Sequence, residues 1–173
     1  MTIETENLIL APYLPRHLRA LIRSTEDFEN TAGMRVADGV REQFLSASAD
    51  FMQRVENGKE ADPWLFGFAV VHRIDNVLMG TGGFPGPPDS NGVAEIAYGI
   101  APRYQGRGYA TEAAMALVEF ASNDPRVKTI CAHTLAETNA STRVLEKCGL
   151  RKTGDAVDPE NNLAVWRWER AAK

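Results

Sequence analysis

The segment that most constrains this chain is VAEIAYGIAPRYQGRGYATEAAM, residues 93–115. An apolar run meets Pro102, then two arginines and two glycines between Arg103 and Gly108, and an alanine-rich helical pattern follows at once. A right-handed strand–helix–strand crossover places such a helix N-terminus at the carboxyl end of its leading strand. The first helical N–H groups have no internal partner, so they carry partial positive charge and point outward. Gly106 and Gly108 leave the backbone bare and free to take positive φ, and successive N–H groups can then form a concave nest. Arg103 and Arg107 add cations, and no acidic residue stands between Glu95 and Glu112. The combination suits a phosphate or pyrophosphate. The competing reading is a glycine turn with solvated arginines. Each exposed contact of this kind is worth only about 0.3–1 kcal/mol, so several must act together to anchor a nucleotide.

The flanking sequence predicts a mixed α/β sheet. NLILAPY (7–13) reads as a first strand, and PRHLRALIRS (15–24) as a helix with Pro15 in its opening turn. VREQFLSASADFMQRVENG (40–58) reads as a second helix stopped at Gly58. WLFGFAVVHR (64–73) and NVLMGTGGF (76–84) read as a hairpin turning near Asp75 and Asn76. PGPPDSNG (85–92) breaks regular structure before the strand VAEIAYGI (93–100). A helix over 110–122, a strand over 127–135, a helix over 139–148 closed by Gly149, and two last strands around Leu150 and LAVWRWE (163–169) complete the pattern. No repeat and no linker divides the chain, and 173 residues fit one domain over 1–173.

A P-loop needs Gly-Lys followed by Ser or Thr, and the chain has none. GRGYAT opens like a dinucleotide fingerprint, but Thr111 stands where a third small residue belongs, and too little sequence follows for a second half-sheet. RYQGRGYATEA instead resembles the acetyl-coenzyme A signature of the GNAT superfamily of N-acetyltransferases, with Arg103, Gly106 and Gly108 in its three defining places. ETNASTRVLEKCGLRKTG (137–154) is similar to the later motif of that superfamily, above all in the branch that acetylates ribosomal-protein N-termini. NLILAPY and AVWRWER extend the likeness over nearly the whole chain. The resemblance implies a mostly antiparallel twisted sheet of about seven strands with helices on both faces, splayed after the fourth so that pantetheine lies between two strands. It implies acetyl-CoA as co-substrate, held by Ile100, Arg103, Tyr104, Gln105, Gly106, Arg107, Gly108, Tyr109 and Ala110, with Asn139 as a further contact. Arg143 reads first as part of a solvated helix face, and the nearby phosphate site makes a contact to the coenzyme's 3′-phosphate the alternative. No metal is expected.

The chemistry implied needs a donor for the acetyl oxygen, a base for the acceptor amine and a proton for the departing thiolate. Gly99 inside a strand predicts a bulge or a close backbone approach. Glu95 is the expected base. Alternation puts Glu95, Ala97 and Gly99 on one strand face, where a carboxylate beside small residues is partly desolvated. The rival is an ion-paired or solvated strand glutamate. Many family members protonate the thiolate with a tyrosine, but Leu145 occupies that position; Ser141 matches a serine of the ribosomal-protein branch and is the expected substitute. Asn139 and Ser141 are also good helix caps, which is the rival reading for both. An α-amine with pKa near 7.8 is roughly one-third neutral at about pH 7.5, whereas a lysine is neutral only about 0.1% of the time. The chain offers no obvious companion base, so the expected acceptor is an α-amine or another weakly basic amine. His133, inside an apolar strand, reads as a core histidine. The vacant tyrosine position keeps open a non-catalytic acyl-CoA-binding module.

A net charge of −4 argues against a nucleic-acid partner, and no apolar run is long enough to span a membrane. MTIETENLILAPY lacks the basic start and apolar core of a signal peptide. Cys131 and Cys148 have no metal-ligand spacing and read as reduced packing thiols, which together with the rest makes a cytoplasmic protein the expectation. A homodimer is left open.

Overall fold

The computed structural model describes residues 1–173. Strands β1 (Ile3–Glu4) and β2 (Leu8–Pro12) lead into helices α1 (Pro15–Arg23) and α2 (Thr25–Ala32), then β3 (Arg35–Val36). Three short helices follow, α3 (Glu42–Leu45), α4 (Ala49–Asn57) and α5 (Pro63–Phe66), before the hairpin β4 (Phe68–His72) and β5 (Val77–Gly83). β6 (Val93–Glu95) and β7 (Ala97–Ile100) are one strand interrupted at Ile96. A 3-10 turn at Pro102–Tyr104, α6 (Tyr109–Ser122), β8 (Thr129–Leu135), α7 (Ala140–Lys147), β9 (Arg151–Val157) and β10 (Ala164–Ala171) complete the chain.

Three departures from the sequence reading have local causes. The helix predicted over 40–58 is broken at Ser46–Ser48, because the Ser48 hydroxyl accepts from the Phe51 N–H and starts α4 anew. The strand predicted from Trp64 begins only at Phe68. Asp62 caps Trp64, Pro63 sits in the first turn, and Gly67 at φ 73° ends the helical turn they start. The sequence reading has no helix where α2 stands. Ser24 caps it through the Asp27 N–H, Glu26 and Asp27 favour its N-terminus, and left-handed Gly33 ends it.

Setting aside the two-residue strands β1 and β3, and counting β6 and β7 as one, leaves seven strands. Hydrogen bonding divides them into two sheets, β1-β2-β4-β5 with β3 and β7 both on β5, and β6-β8-β10-β9. Thr81 on β5 bonds to Gln43 of α3, while a Cβ on neighbouring Gly82 would meet Leu117 of α6, so helices cover both faces. Leu8, Leu10, Phe68, Leu78, Met79, Leu117 and Ile130 are fully buried between these layers. Each such side chain contributes about 1.5–3 kcal/mol relative to an exposed one. On the second sheet the Trp168 indole N–H donates to Thr134 Oγ1 at 3.0 Å, a buried bond that ties β10 to β8.

The two sheets share a single strand. Val93, Ala94 and Glu95 pair in parallel with Thr129, Ile130 and Cys131 of β8. After the Ile96 N–H donates to the Cys131 carbonyl at 2.9 Å, the strand leaves β8, and Ala97–Ile100 pair antiparallel with Gly83–Gly80 of β5. The sheet therefore opens into a wedge whose apex is Glu95.

Candidate active site

The wedge exposes one edge of β7. The Ala101 N–H donates to the Met79 carbonyl at 2.8 Å, so in an antiparallel ladder Gly99 and Ala97 also turn their N–H groups to β5. The N–H groups of Tyr98 and Ile100 turn the other way, into the opening, where β7 has no partner strand. These are free donors. The sequence expectation for Gly99 is half right: the irregularity falls at Ile96, and Gly99 itself sits in regular register opposite Thr81. The close approach is real on both sides. A Cβ at Gly99 would lie 2.9–3.0 Å from the Gln43 carboxamide, and one at Gly80 would lie 2.4 Å from the Gly99 carbonyl oxygen.

Past β7, the Gln105 carboxamide donates to the Ile100 carbonyl at 2.9 Å and turns the chain into the glycine joint. Gly106 and Gly108 take φ of 76° and 84°, the left-handed region in which a glycine carries no Cβ penalty. Nothing lies within 4 Å of where either Cβ would be. Gly108 precedes α6 without a side-chain cap, so the N–H groups of Tyr109, Ala110 and Thr111 face outward unsatisfied. The Glu112 carboxylate, in the same first turn, is held away from this nest by the Thr5 hydroxyl, the Asn7 N–H at 2.7 Å and the Asn7 side chain at 3.0 Å. Burial opposes its ionisation, but these hydrogen bonds outweigh burial and hold it below the usual glutamate range. None of Arg103, Arg107, Arg143 or Lys147 makes an ion pair within the chain.

Nest, free edge and wedge apex open into a single cleft of about 1120 Å³. Of the residues expected to hold the coenzyme, Ile100, Tyr104, Gln105, Gly106, Gly108, Ala110, Asn139 and Arg143 line it, together with Glu95 and Ser141. The side chains of Arg103, Arg107 and Tyr109 do not. Arg103 lies over the Tyr104 ring. Tyr109 turns inward, its hydroxyl 3.2 Å from His72 Nε2. The Asp75 N–H donates to His72 Nδ1, and Tyr104 donates its hydroxyl to Asp75 at 3.0 Å. Both tyrosines thus brace the joint from behind against the β4–β5 turn. Burial and that bond to Asp75 raise the Tyr104 hydroxyl above its ordinary value, so it stays a neutral donor.

On α7 the capping question has a clear geometry. Asn139 Oδ1 accepts from the Thr142 N–H at 3.1 Å and Thr142 Oγ1 accepts from the Asn139 N–H at 3.0 Å, a reciprocal capping box. The Asn139 oxygen is therefore committed to the helix, and its NH₂ group donates a long bond to Glu137 Oε1 at 3.5 Å. Ser141 lies inside the helix and is no cap. It is exposed on the cleft wall with no hydrogen bond to the protein. Leu145 is buried, as are both thiols, and burial pushes Cys131 and Cys148 up to about 11.

The Glu95 side chain is 37% exposed, and Oε1 lies 2.9 Å from His133 Nδ1, a partner the sequence did not point to. His133 is itself exposed, which corrects the reading of it as a core histidine. Gln43 was also missed. Its carboxamide oxygen accepts from Thr81 Oγ1 at 2.8 Å, and it lies across Gly99 on the cleft wall. A lone glutamine in a helical run carries no signal of this; the bare Gly99 opposite it was the one available hint.

Comparisons with known proteins point to one family. The sequence profile of the acetyltransferase (GNAT) domain matches residues 7–151. The uncharacterized N-acetyltransferase YnaD of Bacillus subtilis is 38% identical over 154 residues, 89% of this chain and 85% of that protein. A second Bacillus subtilis relative, the uncharacterized N-acetyltransferase YjdG, is 32% identical over 91 residues, about half of each chain at 53% and 52%. Among solved structures, the ribosomal L7/L12 alpha-N-protein acetyltransferase RimL in complex with coenzyme A superposes with a TM-score of 0.69 at 16% identity, covering 99% of this chain and 98% of that one. The chain belongs to the GNAT family of acetyltransferases.

Proposed function

We propose that the chain transfers the acetyl group of acetyl-CoA directly to a primary amine of low basicity, with an α-amine as the favoured class. One observation carries this reading: the free N–H edge of β7, the Glu95 carboxylate and the unpartnered Ser141 hydroxyl all face one cleft that ends at an uncapped helix N-terminus. The nest of Gly106 to Thr111 suits the pyrophosphate, and an extended arm laid along the four residues of β7, about 13 Å, runs from there toward the wedge apex. Bound acetyl-CoA supplies an activated thioester. The N–H groups of Tyr98 and Ile100 are the donors available to its carbonyl oxygen and to the arm. Glu95 takes the amine proton as the N–C bond forms, and Ser141 hydrogen-bonds the sulfur as the C–S bond breaks.

The cleft wall on the side of α3, α4 and α5 supports an apolar acceptor body. Phe44, Phe51, Leu65, Phe66 and Phe84 lie there, and Glu95 is the one carboxylate in the lining. A polyamine would find a single counter-charge. Assay of the full chain with acetyl-CoA against L-phenylalaninamide, glycinamide and spermidine is therefore expected to rank them in that order by kcat/KM. A preference for spermidine would overturn the α-amine assignment. Tight acetyl-CoA binding with transfer to none of these, nor to peptides or ribosomal proteins, would leave a binding module instead.

Ser141→Ala separates the same alternatives at one atom. Because the Asn139–Thr142 box caps the helix, loss of the serine hydroxyl should leave the melting temperature nearly unchanged. Turnover should fall roughly tenfold to a hundredfold, with kcat and kcat/KM falling together and the acetyl-CoA dissociation constant unmoved. Unaltered turnover would remove Ser141 from the chemistry.

A further inference from the structure

The parallel register sets Glu95 opposite Cys131, and His133 is the next residue on the same face of β8. Glu95 is the last residue of the shared strand to pair with β8. His133 lies just beyond on β8, outside the residues that line the cleft, and its imidazole reaches back across the apex to the carboxylate. We propose that His133 is a positioning residue for the acceptor-side base: Nδ1–H donates to Glu95 Oε1 and presents Oε2 to the amine. This rests on the reading of Glu95 as the base.

The geometry favours an oriented pair over an incidental one. A strand glutamate that is 37% exposed would otherwise sample several rotamers, only some aimed into the cleft. A single N–H bond from a neighbouring strand selects among them, and the imidazole is anchored on a strand that β10 pairs along its whole length and β6 pairs as far as Cys131. The other charges around the ring are otherwise engaged. Arg167 of β10 pairs with His133 in register, but its guanidinium turns to Glu169 at 3.5 Å. From β6, Glu95 is the one titratable group facing the imidazole, and no other ion-pair or hydrogen-bond partner of the ring is present. Which imidazole nitrogen carries the proton is set by the bond the ring makes, so an Nδ1–H donor is the tautomer this contact selects. Ion-pair energy between two partly exposed groups is small, and orientation is the effect that remains.

Two measurements test the pair. In steady-state assays of the full chain with acetyl-CoA and the best amine of the panel above, His133→Ala should lower kcat by about tenfold, with the KM for acetyl-CoA unchanged. His133→Asn, which keeps an N–H donor near the Nδ1 position, should recover most of that loss. In a Glu95→Gln background His133→Ala should cost little more, because residues acting as a unit are not additive. Independently of any acceptor, imidazole nitrogen NMR should find His133 with its proton on Nδ1 in the wild type and on Nε2 in Glu95→Ala. If Glu95→Gln abolishes turnover while His133→Ala and wild type match across the pH profile, the positioning role fails and the base stands. If Glu95→Gln is itself active, the base assignment fails first. An unchanged tautomer in Glu95→Ala would overturn the pairing directly.

Discussion

Glu95→Gln is expected to cut turnover by roughly a hundredfold or more while leaving acetyl-CoA affinity nearly intact. Glutamine keeps the shape of the side chain, and its carboxamide oxygen still accepts from His133 Nδ1, so the wedge apex should stay folded as it is. What disappears is the ability to take a proton. The loss is set in the transition state, where the N–H proton must leave as the N–C bond forms, and any cost of freeing the amine beforehand adds to it. Freeing a lysine-like amine at neutral pH costs on the order of 4 kcal/mol, whereas an α-amine costs well under 1. An enzyme built for the second class can work with one partly exposed carboxylate, and Glu95 is such a group. Calorimetric binding of acetyl-CoA and steady-state rates on one preparation read the two quantities separately. Wild-type turnover of the glutamine protein across about pH 6 to 9 would make Glu95 structural and move the base elsewhere in the cleft.

The parts of the site legible in the sequence are those whose chemistry is local. Gly106 and Gly108 announce a left-handed joint because few other residues take positive φ cheaply, and the alanine-rich run after them can only be a helix start. The crossover from β6 and β7 through α6 to β8 follows from those signals and from handedness. Where competing local rules met, the reading failed. Ser46 to Ser48 sit inside a helical hydrophobic period, and the capping preference of Ser48 won over the period. Asp62 and Pro63 precede an aromatic run that reads as strand, yet they fix a turn of helix first.

What was not legible depends on pairing between distant segments. In TICAHTL the residues Cys131, His133 and Leu135 share a face, and nothing in that stretch says that the face opens at His133. It opens because the partner strand departs after Glu95, which is set by the register of two strands more than thirty residues apart. The capping roles around Asn139 were ambiguous for a similar reason. Thr138, Asn139 and Ser141 are all competent caps, and only the exact start of α7 decides that Asn139 and Thr142 form the box and leave the Ser141 hydroxyl free. The structure thus assigns to Ser141 a freedom, and to His133 a partner, that composition and spacing leave undetermined.

Gly108→Asp should abolish the rise in melting temperature that acetyl-CoA gives the wild type. At a hundredfold excess over its dissociation constant a ligand stabilises by about 2.7 kcal/mol, which for a chain of this size is a shift of roughly 5–10 °C. The position tests electrostatics more than folding. A Cβ at Gly108 meets nothing within 4 Å, so the new side chain clashes with no neighbour. It does carry the strain of a backbone at φ 84°, which aspartate tolerates better than most residues. Its carboxylate would lie over the free N–H groups of Ala110 and Thr111, filling the nest with the charge that the pyrophosphate should bring. Gly108→Ala supplies the control: it has the same φ and no carboxylate, so it should lose a little stability and keep most of the ligand-induced shift. If the aspartate protein folds and shows the wild-type shift with acetyl-CoA, the pyrophosphate does not bind at this helix N-terminus, and the free cations Arg143 and Lys147 on the α7 wall become the place to look.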